Sequence, residues 1–85
     1  MPQNRDMQVF TVSLKSISEV KEFVRIVNDY AYNVDLISGR YIVDAKSIMG
    51  IFSLDLARPI VLEIHSDSAD DLVSRLEPFI NNPGN

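Results

Sequence analysis

Ile60-Val61-Leu62-Glu63-Ile64-His65 is the segment whose pattern says most about how this chain folds. Ile60, Leu62 and Ile64 share one side of an extended backbone, because successive side chains of a strand point to opposite faces. Glu63 and His65 fall on the other side. The alternation predicts a strand with one face in a core and the other toward solvent.

The residues after this strand predict a final helix. Ser68 is the expected N-cap, and Asp70 and Asp71 fall in the first turn, where negative charge complements the helix dipole. Because Pro78 lacks an amide hydrogen and its ring clashes with the preceding turn, the helix should end or kink close to Glu77. The side chains at helical spacing give the expected buried stripe: Ala69, Leu72, Val73, Leu76 and Ile80.

The start of the chain predicts a strand followed by a helix. Residues 7–14 alternate, with Phe10, Val12 and Leu14 on one side. Ser16 and Glu19 then have capping-box spacing, in which the serine hydroxyl accepts from the Glu19 amide. An amphipathic helix is expected over residues 17–29, with this buried stripe: Ile17, Val20, Phe23, Val24, Val27 and Tyr30.

The middle of the chain predicts a hairpin and a short helix. We expect a strand from Val34, a Ser38-Gly39 turn and a return strand through Val43, because glycine supplies the positive φ that a two-residue hairpin turn requires. Residues 46–54 are apolar at helical spacing but interrupted by glycine, so we expect a helix of one or two turns with Ser47 capping it.

The resulting order is strand, helix, strand, strand, short helix, strand, helix, or βαββαβα. Four strands with one apolar face, and helices enough to cover that face once, imply an α+β domain of two layers. The short connections favour an antiparallel or mixed sheet.

Composition bounds the function. The 85 residues suit one domain spanning 1–85, and residues 1–6 and 82–85 are expected to be flexible tails. A net charge of −4 argues against nucleic-acid and anionic-membrane partners. The absence of cysteine and the single histidine predict no metal centre and no thiol chemistry, and no cofactor is expected. We expect a cytoplasmic protein, with the oligomeric state open between a monomer and a weak dimer.

Two segments carry a resemblance to a known family: Phe10-Thr11-Val12 and, most strongly, Asp44-Ala45-Lys46-Ser47-Ile48-Met49-Gly50-Ile51-Phe52-Ser53-Leu54. The second is similar to the regulatory-serine segment of the histidine-containing phosphocarrier (HPr) family of the sugar phosphotransferase system. The resemblance implies an open-faced β-sandwich: a four-stranded antiparallel sheet with three helices on one face.

The resemblance fails at the family's phosphoacceptor. Members that relay phosphate carry a Gly-x-His-Ala-Arg-Pro-like loop before the first helix, whereas here residues 13–19 read Ser-Leu-Lys-Ser-Ile-Ser-Glu. Alignment on the helix stripe places Ser16 at the histidine position, Ser18 at the arginine and Glu19 at the proline. A serine hydroxyl has a pKa far above neutral, so without an activating base it cannot replace imidazole in reversible phosphoryl transfer. The phosphocarrier function is therefore expected to be lost, and the chain is not expected to be an enzyme.

Ser47 is the strongest remaining candidate site. The resemblance implies phosphorylation here by a bifunctional HPr kinase/phosphorylase, after which the protein would bind a catabolite-control regulator. A phosphate at this helix start would face free amides, with Lys46 adjacent. The alternative is that Ser47 is only an N-cap.

An apolar patch is the second candidate. If Ile51 and Leu54 enter the core, a helix this short cannot bury all of Ile48, Met49 and Phe52 as well, so some of them must be exposed. The resemblance implies that these three dock protein partners, and the alternative is that Phe52 folds back beneath a loop.

Other residues are decoys or weak candidates. Ala57-Arg58-Pro59 copies three letters of the missing motif, but it precedes the last long strand and is interpreted as coincidence. His65 lacks an evident orienting carboxylate in the sequence and is interpreted as ordinary surface. Ser16 with Lys15 has the ingredients of an anion site, as every capped helix start does.

The sequence thus favours a non-catalytic HPr-like regulatory or binding protein related to the phosphotransferase system, with serine phosphorylation at Ser47. The alternative is a phosphocarrier of the phosphoenolpyruvate-dependent system that uses a non-standard acceptor.

Overall fold

A computed structural model describes residues 7–81, in the order β1 (Gln8–Val12), α1 (Ile17–Asn28), β2 (Val34–Ser38), β3 (Tyr41–Asp44), α2 (Ile48–Phe52), β4 (Ile60–Ile64) and α3 (Asp70–Leu76). A 3₁₀ turn, Glu77–Phe79, follows α3. The expected flexible tails, 1–6 and 82–85, lie outside the described residues. Within residues 7–81, no helix combines the length and apolar content needed to cross a membrane.

The strands form one sheet in the order β1-β4-β2-β3, and every pairing is antiparallel. β1 and β2 therefore run parallel with β4 between them, and β3 and β4 run parallel with β2 between them. β1-α1-β2 and β3-α2-β4 are thus two interleaved βαβ units. The strands of one unit run opposite to those of the other, and the two units cross the sheet in opposite directions. Right-handed crossovers of both units place α1 and α2 on the same face of the sheet.

The core lies between this helical layer and the sheet. The alternation predicted for β4 is confirmed, since Ile60, Leu62 and Ile64 are all fully buried. Helices α1 and α3 add the large side chains Phe23, Leu72 and Leu76 to the same core. The expected α+β open-faced β-sandwich, with four antiparallel strands and three helices on one face, is confirmed.

The hairpin turn is one residue later than predicted. Ser38 pairs with Tyr41, so Gly39 and Arg40 are the two turn residues and Ser38 belongs to β2. Gly39 supplies the required positive φ of 61°. The error arose because the glycine fixes the position of the positive φ but not which neighbour shares the turn.

The predicted cap of α3 is wrong. The helix starts at Asp70 with Ala69 as its N-cap residue, and no side chain caps it there. The Ser66 hydroxyl accepts from the Ser68 amide, and the Asp71 carboxylate accepts from the Leu72 amide. The predicted end is confirmed, because α3 passes into the 3₁₀ turn at Glu77.

Ile17 also differs from its prediction. The apolar stripe of α1 buries Val20, Phe23 and Val27 completely, but Ile17 is 63% exposed. The first turn of α1 projects past the edge of the core, so helical spacing alone overestimates the buried length.

Candidate functional site

The start of α1 holds Ser16, the residue that the sequence resemblance places at the phosphohistidine position. Ser16 is the N-cap residue, and its Oγ accepts from the Glu19 amide at 3.1 Å, as the capping-box spacing predicted. The Glu19 carboxylate accepts from the Lys15 amide at 2.6 Å, one residue earlier than in a standard capping box. The amides of Lys15 and Glu19 at this helix start are therefore already hydrogen-bonded to side chains of the same segment.

This hydrogen bonding has an electrostatic consequence. Glu19 places a carboxylate at the amide-rich end of α1, which is the end where a phosphoryl group would otherwise be stabilised by the helix dipole. Two anions at one helix start repel each other. This geometry disfavours an anion-binding role for Ser16 and Lys15.

The start of α2 is built in a related way. Ser47 Oγ accepts from the Gly50 amide at 3.1 Å, and the Ser47 carbonyl accepts from the Ile51 amide. A side chain at Gly50 would place its Cβ 3.2 Å from both Ser47 Oγ and Val43 Cβ. The glycine thus allows the serine hydroxyl and β3 to approach the helix closely.

Lys46 does not lie where the sequence suggested. Its Nζ donates to the Tyr30 carbonyl at 2.8 Å, just beyond the end of α1, rather than pointing toward Ser47. Asn28 Nδ2 donates to the Lys46 carbonyl at 3.2 Å. The ammonium therefore complements the negative end of α1. The expectation that Lys46 would support a phosphate on Ser47 is corrected, because its Nζ is bound elsewhere.

These contacts also fix the relative position of the two serines. Ser16 caps the start of α1, whereas Ser47 follows Lys46, which contacts the other end of that helix. At 1.5 Å per residue the 12 residues of α1 span about 18 Å. Ser16 and Ser47 are therefore two separate positions and do not form one site.

The apolar patch divides between core and surface. Ile51 is fully buried and Leu54 is 7% exposed, as expected. Met49 is 77% and Phe52 41% exposed, whereas Ile48 is partly buried against the core. Phe52 is thus accessible, and the docking role of Ile48, Met49 and Phe52 stays a prediction.

His65 has a partner that the sequence analysis missed. Its Nε2 lies 3.0 Å from Asp35 Oδ2 and 3.9 Å from Glu63 Oε1. The expectation that His65 lacks an orienting carboxylate is therefore wrong. The sequence alone could not reveal this contact, because the position of Asp35 beside Glu63 depends on the register of β2 against β4.

The remaining candidates have ordinary structural roles. Arg58 lies before β4 in an exposed ion pair with Asp55, Nε to Oδ2 3.5 Å. Asp71 accepts from the Tyr32 hydroxyl at 2.9 Å, and this hydrogen bond raises the pKa of Tyr32. Asp70, like Asp71, lies in the first turn of α3, where its charge complements the dipole.

An open-faced antiparallel sheet with three helices on one face, the second short and serine-capped, defines a small two-layer α+β protein. Residues 17–82 match the family model described as the PTS HPr component phosphorylation site. The chain belongs to the HPr family. No match was found among curated proteins.

Solved structures agree on the fold. A phosphocarrier protein HPr from Bacillus anthracis str. Ames is 23% identical with a TM-score of 0.68, over 88% of this chain and 98% of that chain. HPr-C-His from Thermoanaerobacter tengcongensis is 22% identical with a TM-score of 0.67, over 84% of this chain and 88% of that chain. The family match relates the chain to the phosphotransferase system, whereas these identities show the fold alone.

Proposed function

We propose that this protein is a non-catalytic, cytoplasmic HPr-like module that binds protein partners and is regulated by phosphorylation of Ser47. The observation that carries the proposal is the start of α1, where Ser16 and Glu19 close the helix and no imidazole is present. A family member built this way keeps the scaffold without the usual phosphoacceptor.

The chemistry of Ser16 supports the loss of relay. Within residues 7–81 its Oγ hydrogen-bonds the Glu19 amide, which supplies no base to remove the hydroxyl proton. A serine phosphate is also a stable ester, in contrast to the labile phosphoramidate that an imidazole forms. Ser16 therefore suits a structural cap better than a reversible carrier.

Ser47 is suited to carry a regulatory phosphate. It caps α2, a helix with no acidic residue in its first turn, and the Asp44 carboxylate before the helix is bound to the Lys46 amide. Phosphorylation adds a charge of about −1.5 to −2 and oxygens that can accept from the same amides. The kinase in this proposal is of the HPr kinase/phosphorylase type, and the partner of the modified form is a catabolite-control regulator.

The docking surface in this proposal is formed by Ile48, Met49 and Phe52. Met49 and Phe52 lie on the same short helix that Ser47 caps, so a phosphate and the apolar contacts would face a partner together. Methionine and phenylalanine bury much area and adapt in shape when a partner covers them.

The proposal is tested with two phosphorylation reactions. Purified protein is incubated with ATP and an HPr kinase, and separately with phosphoenolpyruvate and the first enzyme of the phosphotransferase system, beside a histidine-bearing HPr as positive control. We expect acid-stable label from ATP, lost in Ser47→Ala and kept in Ser16→Ala. We expect no label from phosphoenolpyruvate.

A second function, phosphoryl relay through a non-standard acceptor, has one supporting observation: His65 with Asp35 at 3.0 Å. It predicts acid-labile label from phosphoenolpyruvate that disappears in His65→Ala. That result would overturn the non-catalytic assignment. No label on Ser47 from ATP, with the control labelled, would overturn the regulatory assignment.

A further inference from the structure

Three carboxylates lie side by side on the sheet face opposite the helices. Glu63 of β4 pairs directly with Asp35 of β2, and Asp35 pairs directly with Asp44 of β3. Like charges at directly opposed strand positions destabilise a sheet. His65 directly follows β4, and its imidazole lies on the same face, in contact with Asp35 and Glu63.

The described basic residues do little to offset this row. The neighbouring Lys46 directs its Nζ to the Tyr30 carbonyl, and its amide donates to Asp44 Oδ1 at 2.8 Å. Asp44 is therefore turned toward the loop that precedes α2. Within residues 7–81, the ion pairs of Asp35 and Glu63 are both with His65.

The donor atoms of Asp35, Glu63 and His65 converge. One oxygen of each carboxylate and one ring nitrogen all lie within 4.8 Å of one another. Zinc binds imidazole and carboxylate at about 2.0–2.2 Å, which places neighbouring tetrahedral ligands about 3.4 Å apart. The separations of 3.0 and 3.9 Å from His65 Nε2 lie on either side of that value.

We infer that Asp35, Glu63 and His65 form a site for a divalent transition-metal ion, with Zn²⁺ as the reference ion. Imidazole nitrogen with two carboxylates suits zinc better than magnesium, which favours oxygen ligands in octahedral geometry. The three side chains are partly solvent-accessible, at 35%, 24% and 37% for Asp35, Glu63 and His65. Water would therefore complete the coordination.

Metal bound here would join the two central strands. Asp35 lies on β2, Glu63 lies on β4 and His65 directly follows β4, so the ion would replace the repulsion between the two carboxylates with a shared cation. An ion that binds the folded chain and not the unfolded chain raises the melting temperature. The inference does not depend on Ser47 or on the loss of phosphoryl relay.

The composition of the chain makes the test direct. His65 is the only histidine and there is no cysteine, so imidazole resonances report on this site alone. The full chain, purified without a histidine tag, is titrated with ZnCl₂ at neutral pH while the imidazole signals are followed by ¹H–¹⁵N NMR. A parallel series with MgCl₂ measures general attraction to the acidic face.

Matched variants separate coordination from net charge. Asp35→Asn and Glu63→Gln remove one ligand charge each with little change in shape, and both should weaken Zn²⁺ binding at least about tenfold, as should His65→Ala. Asp44→Asn removes the same charge from the same row but from a residue outside the donor set. It should change Zn²⁺ affinity less than about threefold.

We expect Zn²⁺ to shift the His65 signals saturably with one-site behaviour, and Mg²⁺ to cause no such shift. Zn²⁺ should also raise the melting temperature of the parent protein but not that of His65→Ala. Three outcomes would overturn the inference: no imidazole shift with excess Zn²⁺, equal shifts with Mg²⁺, or an Asp44→Asn effect as large as that of Asp35→Asn.

Discussion

Replacing Ser47 with alanine removes the side-chain acceptor at the start of α2. The lost contact is the 3.1 Å hydrogen bond from the Gly50 amide to Ser47 Oγ, in a helix of five residues. Loss of an N-cap hydroxyl costs about 0.5–2 kcal/mol, and the partial burial of Gly50 places this case at about 1–2 kcal/mol. In a domain of this size each kcal/mol lowers the melting temperature by about 4–8 °C.

Ser47→Asp is the informative partner variant, because its carboxylate accepts from the same amide and complements the helix dipole. Its free energy of unfolding should lie within about 0.5 kcal/mol of the parent. Urea unfolding followed by circular dichroism, with equal m-values, gives both differences. Ser74→Ala, an exposed change within α3, should be neutral to within about 0.5 kcal/mol.

Two results would refute this reasoning. A Ser47→Ala protein as stable as the parent would show that the hydroxyl does not cap α2 in solution. A Ser47→Asp protein as unstable as Ser47→Ala would show that this helix start does not tolerate negative charge, and phosphorylation there would lose its physical support.

Three further predictions concern the fold. Leu62→Ala, at a fully buried position in a central strand, should cost about 2–5 kcal/mol in urea unfolding, whereas Val61→Ala on the opposite, partly exposed face should cost clearly less; equal losses would contradict the assigned faces. Gly39→Ala must hold a φ of 61° and should lower stability by about 1–2 kcal/mol; an unchanged melting temperature would argue against this turn. The hydrogen bond from Arg25 lowers the pKa of Glu22, so this pair stabilises the fold above the ordinary carboxyl pKa, and that stability is lost as pH falls through the lowered pKa. NMR titration should show the Glu22 midpoint rising in Arg25→Gln, and an unchanged midpoint would exclude the contact in solution.

Local patterns were sufficient to predict most of the elements. The alternation in β4 and the helical spacing in α1 both reflect the burial of one face, and the order of apolar residues along the chain shows which face that is. The caps at Ser16 and Ser47 were also predictable, since each accepts a hydrogen bond from an amide three residues ahead. These features need no knowledge of the rest of the chain.

The errors involve distant parts of the chain or a choice between close local alternatives. The exposure of Ile17 depends on where the core ends, and the position of Lys46 depends on the Tyr30 carbonyl at the end of another helix. The contact of His65 with Asp35 depends on strand register, which a single sequence does not specify. Serine is common at N-caps and so favours Ser68, whereas Ala69 takes that position with no side-chain hydrogen bond.

The central place of β4 has a consequence for synthesis on the ribosome. β4 is the last strand to be made within residues 7–81, yet β1 and β2 both pair with it. A nascent chain that ends before Ile60 therefore contains two strands with a vacant position between them. Until β4 has emerged from the ribosome, these strand edges are open to pairing with other polypeptides, and prompt release of the chain protects against that form of aggregation.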